Sequence, residues 1–295
     1  MTKKQLAKKY TDDERAAYKQ AQREEAQQRL TQAVASLQST DGFQAWLRAR
    51  ARFHDYSFNN VLLILAQLPE ATRVASATAW KDLDRHPAKG SRALRVFAPI
   101  KWNVACSQSE QGARWNDKRQ RWEKQVRSFK LVPVFDVSQT DGEALADGPA
   151  PTALEGDSHA HLERPLVELA NELGFTVSTE AMDDAGGYCD PTTKRIVLAE
   201  GHSANARVRV LVHEIAHAQG IGYRDYGRAL AEVLVESVTY IVLSGVGFEM
   251  DAASVPYVAG WAGNTDTQAA LEKFASTVDE VARRIEDVLH TNERN

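Results

Sequence analysis

The chain has 295 residues, 43% of them apolar and 26% charged, with a formal net charge of −4. That balance describes a folded globular chain with length enough for two domains, and no apolar run approaches the ~18 residues of a membrane span. Two cysteines, Cys106 and Cys189, are too few for a disulfide framework. The opening stretch MTKKQLAKKY lacks the apolar centre of a signal peptide. Together these point to a reducing, cytoplasmic compartment with no membrane partner.

The charge is unevenly shared. Residues 1–142 carry 25 Lys and Arg against 15 Asp and Glu, whereas residues 143–295 carry 11 against 25. A basic half joined to an acidic half predicts a polyanion partner for the first half alone.

Residues 4–38 are rich in Gln, Ala, Arg, Glu and Leu, without Gly or Pro, and predict a helix; Thr11 followed by acids is a natural start. DGFQAWLRARARFHDYSFNNVLLILAQLP (41–69) predicts two helices broken near His54–Ser57, with Ser57 capping the second and Pro69 ending it. RALRVFAPI (92–100) is β-branched and aromatic, which predicts a strand. CSQSEQGARWNDKRQRWEKQ (106–125) is polar and charged and reads as an excursion, after which RSFKLVPVFDVSQTDG (127–142) resumes as strand and ends in a turn. Residues 143–158 are rich in Ala, Gly, Pro and acids, and the charge changes sign there, so the expected division is 1–142, a linker at 143–158, and 159–295. The back half predicts helices near 160–173, 203–219, 225–244 and 265–290, with a hairpin over 186–199.

One of those helices carries the strongest motif. In NARVRVLVHEIAHAQG, the apolar positions Val208, Leu211, Val212, Ile215 and Ala216 form a single stripe, and Gly220 is a natural stop. His213 and His217 stand four apart and share a face, with Glu214 one step round. Two neutral imidazoles on one helix suit Zn2+, and the same ligands accept other divalent ions. A carboxylate beside the metal-bound water takes its proton to make a nucleophile, the role expected of Glu214.

A third ligand is required. The next helix, YGRALAEVLVESVTYIVLSG (226–245), offers Glu232 and Glu236, four apart among apolar neighbours. Carboxylates on such a helix are costly unless something positive meets them. One would bind the ion and the other would orient a histidine. Spacing does not order them; resemblance to thermolysin-like sites favours Glu232 as the ligand. RIVLA (195–199) is the candidate edge strand for an extended peptide.

The front half mixes aromatics with cations and amides between residues 53 and 102. Tyr56, Asn59, Asn60, Trp80, Lys81, Arg85, Lys89, Arg92 and Lys101 are the candidate DNA contacts. Single-stranded nucleic acid is held by stacking on aromatic faces and by a positive groove along its phosphates. Phe58 and Trp80 have the size and apolarity of core residues as well.

These strings resemble the ArdC-type antirestriction proteins of conjugative plasmids. The front resemblance lies in YSFNNVLLILAQLPEAT (56–72), AWKDLDRHPAKGSRALRVFAPI (79–100) and VPVFDVSQTDG (132–142). The back resemblance lies in GGYCDPTTKRIVLA, LVHEIAHAQG and LAEVLVESVTYIV, so that it covers roughly residues 30–262. Val235 stands where the family commonly has alanine, a change of packing. The resemblance implies an α+β fold: an N-terminal single-stranded-DNA-binding α+β domain, then a mainly helical zincin-like metallopeptidase domain with a small sheet. It implies protection of incoming single-stranded DNA from host restriction, with His213, His217 and a helix glutamate on the metal and Glu214 as base. A host restriction protein is one candidate peptidase substrate. The competing readings are a cytosolic zinc metallopeptidase without a DNA role, and a DNA-binding protein whose metal is structural.

Overall fold

The computed structural model describes residues 11–145, 152–182, 186–255 and 267–293. The fold is α+β. Helix α1 (Asp12–Ser36) starts where expected: Thr11 and Glu14 form a reciprocal capping box. The expected residues 4–10 of that helix lie outside the described residues. The two predicted helices follow as α2 (Thr40–Arg52) and α3 (Phe58–Gln67). Ser57 occupies the N-cap of α3, though its side chain makes no capping bond.

A short strand β1 (Val74–Ala75) and helix α4 (Ala77–Asp82) lead to β2 (Arg85–Pro87), β3 (Leu94–Ala105), β4 (Arg114–Asn116), β5 (Arg121–Asp136) and β6 (Thr140–Gly142). Strand β5 is the axis of the front half: β3 pairs with it antiparallel along its whole length, and β1 and β4 pair with its two ends. Of the stretch expected to be an excursion, residues 114–116 and 121–125 are strand, and loop and turns make up the rest. Its polar alternation reflects a ribbon whose far end has solvent on both faces, so period-two burial never marks it.

The outer edge of β3 is closed by side chains. The Asn60 amide donates to Phe97 O and accepts from Phe97 N, both at 2.8 Å. Further along the same helix, Gln67 does the same with Arg95, at 3.0 and 2.9 Å. Two amides of α3 thus replace a neighbouring strand and leave no row of unpaired peptide groups there.

The back half contains α5 (Glu163–Glu172), β7 (Thr176–Glu180), β8 (Gly187–Asp190), β9 (Arg195–Ala199), α6 (Ala204–Ala218), the single turn α7 (Tyr223–Tyr226), α8 (Arg228–Gly245) and α9 (Thr267–Glu293). Its sheet runs β7-β9-β8, with β7 parallel and β8 antiparallel to β9. RIVLA is therefore the buried central strand and not the edge: it is apolar because both its faces are covered. The edges are β7 and β8. Strand β8 presses on α6 so closely that a Cβ on Gly187 would stand 2.5 Å from Val210 and 2.7 Å from the Val197 carbonyl. Gly220 takes φ +103° and ends the motif helix as expected.

The expected linker is only partly visible, because 146–151 lie outside the described residues. Residues beyond it are tied down: the Asn205 amide donates to the carbonyls of Ala153 and Glu155, and Thr152 pairs with Phe248. Helices of both halves share one apolar core, in which α2 packs on α8 and α9 packs on α8. At that junction Arg50 of α2, 0% exposed, meets Glu286 of α9 at 2.8 and 3.1 Å and also bonds Asp279. Among the described residues no helix is long and apolar enough to cross a membrane.

A buried carboxylate that loses its cation keeps its desolvation cost. Arg50→Ala is therefore expected to lower stability by about 3–5 kcal/mol, read as a shift in the urea midpoint; a change under ~1 kcal/mol would remove this bridge from the account.

Candidate metal centre

Helix α6 buries the predicted stripe completely: Val208, Leu211, Val212, Ile215 and Ala216 are each 0% exposed. That orientation aims His213 and His217 at α8. Their Nε2 atoms lie 3.6 Å and 3.9 Å from the two carboxylate oxygens of Glu232. One atom from each of the three residues falls within 4.8 Å of the others. Ligands ~2.0 Å from one tetrahedral ion stand about 3.3 Å apart, so the three need little movement to close on a cation.

The other imidazole nitrogens are held from behind. His217 Nδ1 is 2.7 Å from the Ile221 carbonyl, just past the end of its own helix. His213 Nδ1 is 3.0 Å from Glu236 Oε1, a close approach lying off the line of the ring N–H. Arg209, one turn before His213, stands 3.4 Å from both Glu236 oxygens. The two carboxylates that spacing left unordered are thus separated by position: Glu232 faces the ring nitrogens that converge, and Glu236 sits behind one ring. The donor set of two imidazoles and one carboxylate fits a divalent transition ion with a coordination position to spare.

The charges respond to burial. Burial works against a charged His213, but Glu236, Glu214 and Glu232 around it outweigh that and raise its pKa. His217, with burial dominant, is lowered. Glu236 is held down despite its burial by His213 and Arg209. Glu214 is 7% exposed and its pKa is pushed up to about 7, first by burial and further by Glu232; His213 and the Cys189 amide pull the other way. A cation seated on the neighbouring histidines would also lower it.

Sequence reasoning missed three participants. Arg209 was legible, being four residues from His213 on the same face. The Ile221 carbonyl and Tyr223 were not, because a loop after the helix brings them back. The Tyr223 hydroxyl donates to Glu232, and its ring stands edge-on to His217 with centroids 5.4 Å apart.

The nine expected DNA contacts do not form one groove. Trp80 is buried, with its indole donating to Phe135 O at 2.8 Å, so no ring face is offered for stacking. Asn60 is consumed by the β3 edge. The Arg85 guanidinium is spent on the Thr140 hydroxyl and on the carbonyls of Thr140, Gly142 and Glu143. These three belong to the scaffold, because each satisfies backbone groups that the small strands leave open. Tyr56 is half-buried, its hydroxyl on Val74 O. Asn59, Lys81, Lys89, Arg92 and Lys101 are exposed. Arg92 lines a cleft of about 410 Å³ between α1 and β3 with Tyr18, Arg29 and Arg95, whereas Tyr56 and Trp80 line another.

Residues 28–135 match the family model of the N-terminal domain of the anti-restriction factor ArdC. Residues 28–135 thus form an ArdC-type N-terminal domain. A curated relative from Bacillus anthracis, the uncharacterized protein pXO2-81, is 25% identical over 313 residues, spanning 93% of this chain and 52% of the relative. The chain thus covers about half the length of the curated relative it matches. Among solved structures, the Mn(II)-bound antirestriction ArdC protein from plasmid R388 aligns with a TM-score of 0.51 at 17% identity, over 92% of this chain and 98% of that one. The metal-free form of that protein aligns at 0.49 and 18%, over 80% and 85%. The Mn(II)-bound likeness carries the fold of this chain, its α+β architecture.

The positions of the two glutamates make different demands. Glu232→Ala is expected to abolish tight binding of Zn2+ or Mn2+, and Glu236→Ala to weaken it by about 10–100-fold, in competition with a chromogenic chelator. The reverse order would exchange their roles.

Proposed function

We propose that this ArdC-type antirestriction protein binds single-stranded DNA through residues 1–142 and carries a metal-dependent peptidase site in residues 159–295, of the zincin kind. The division at 143–158 is one of labour, across a core held in common. The observation that carries the peptidase reading is the convergence of His213 Nε2, His217 Nε2 and Glu232 beside the buried Glu214. The R388 protein that shares the fold holds Mn(II). The basic surplus of residues 1–142 supports the DNA reading.

His213, His217 and Glu232 would hold the ion, Zn2+ or another divalent metal. Bound there, it supplies a Lewis acid that lowers the pKa of a coordinated water and polarises a carbonyl. Glu214, buried beside those histidines, would take the proton from that water and return it to the departing amine. Glu236 and the Ile221 carbonyl keep the two imidazoles in the tautomer and orientation that present Nε2. Strand β8 pairs only with β9 among the described residues, so its outer edge can receive an extended chain next to Glu214. A restriction component met on DNA is the substrate class that joins both halves.

Two measurements test this. Glu214→Gln should retain metal yet lower cleavage of an unfolded protein such as casein by about 10²–10⁴-fold; unchanged cleavage would remove Glu214 from the chemistry. The full chain should prefer a single-stranded oligonucleotide to a duplex of equal length, with affinity falling as salt rises by about 0.7 log units per neutralised phosphate per log unit of salt. Equal, feeble binding to both would leave a peptidase without a DNA role.

A further inference from the structure

The far end of the front sheet is the part of the fold that the scaffold does not explain. Three of the six tryptophans, Trp102, Trp115 and Trp122, lie there. Trp102 pairs with Val126 across β3 and β5, and Trp115 pairs with Trp122 across β4 and β5. Val126 and Trp122 are four apart on β5, so all three indoles share one face. Trp102 and Trp115 are 43% and 45% exposed, and the Trp115 and Trp122 rings meet edge-to-face at 5.7 Å.

A cross-strand tryptophan pair stabilises a ribbon by itself. That does not account for Trp102 on the opposite outer strand, whose exposed ring adds nothing to a core. Nor does it account for the charge. Residues 101–130 carry eight Lys and Arg against three Asp and Glu. Of the acids, Glu123 is buried and held by Arg119 and Arg121 at 3.1 and 2.7 Å, and Glu110 pairs with Lys124. Lys101 on β3, Arg114 on β4, Lys118 in the β4–β5 turn and Lys130 on β5 are exposed. Lys130 has the parity of Trp122 and Val126 on β5 and so shares the indole face, and Lys118 stands in the turn at its other end, whereas Lys101 and Arg114 adjoin Trp102 and Trp115 and belong to the opposite face.

We propose that the Trp102–Trp115–Trp122 face of this tip is a stacking platform for unpaired bases, with Lys118 and Lys130 engaging the phosphates at its two ends. Aromatic faces with flanking cations suit a single strand, since a duplex hides its base faces. The inference rests on the DNA-binding reading above and gives it a location distinct from the Arg92 cleft.

The test uses the full chain and a fluorescein-labelled oligo-dT, followed by anisotropy across a salt series. Trp102→Ala and Trp115→Ala should each weaken binding by about tenfold without altering the salt slope. Trp115→Phe should restore most of the loss at that position, which separates stacking from a loosened tip. The pair Lys118→Ala and Lys130→Ala should reduce the slope by about 0.7 for each phosphate no longer neutralised. If wild type binds and both tryptophan variants remain within twofold of it, the platform is overturned while DNA binding stands, and Arg92→Ala then locates the site. A wild type that binds the oligonucleotide no better than duplex overturns the platform together with the DNA reading.

Discussion

Helix α8 is buried along most of its length, and the two carboxylates it carries have to be met by charge. Apolar residues from Ala231 to Leu243 pack against α2, α6 and α9, so the helix serves the core of both halves. Its buried hydroxyls, Ser237 and Thr239, are satisfied by carbonyls one turn back. Glu232 and Glu236, half-buried, have no such local remedy, and each carboxylate is better held with a cationic or hydrogen-bonding partner beside it. The fold answers with His213, His217 and Arg209, all from one face of α6. The geometry proposed for the metal ligands is thus also the arrangement that pairs the carboxylates of α8 with groups on α6.

The same logic joins the halves. Arg50 is enclosed between α2 and α9 and meets two carboxylates, so the helices of the basic front half are registered on the acidic back half by a buried ion cluster. Arg283 of α9 extends the contact to the Tyr56 carbonyl at 3.0 Å. A movement of the front helices would have to break these bonds or carry α9 with it. The chain's opposed net charges therefore coexist with specific pairing at the junction.

The front sheet shows how a polar residue can be structural without looking so. Asn60 and Gln67 sit on an apolar helix and read as surface or as ligand contacts; in the fold they substitute for a strand along β3. Trp80 and Arg85 are likewise drawn inward by backbone carbonyls that short strands leave unpaired. The residues left to meet a partner are those that no backbone group claims: the cations of the loops, and the indoles at the far end of the ribbon.

The sequence by itself determined the helices, the stripe of α6 and the spacing of His213, Glu214 and His217, because these depend on periodicities of a few residues. It also marked the Glu232–Glu236 pair, since a carboxylate amid Leu and Val is conspicuous without any fold. Tertiary structure alone decided which glutamate faces the convergent nitrogens, because that depends on how α8 is rotated against α6. It decided that RIVLA is central and that β7 and β8 are the edges, because an apolar strand reads the same in either place until its neighbours are known. It brought in Ile221 and Tyr223 through a loop whose path no local pattern encodes. It also turned parts of a polar stretch read as an excursion into a ribbon, because strands open to solvent on both faces lack the alternation that burial imposes.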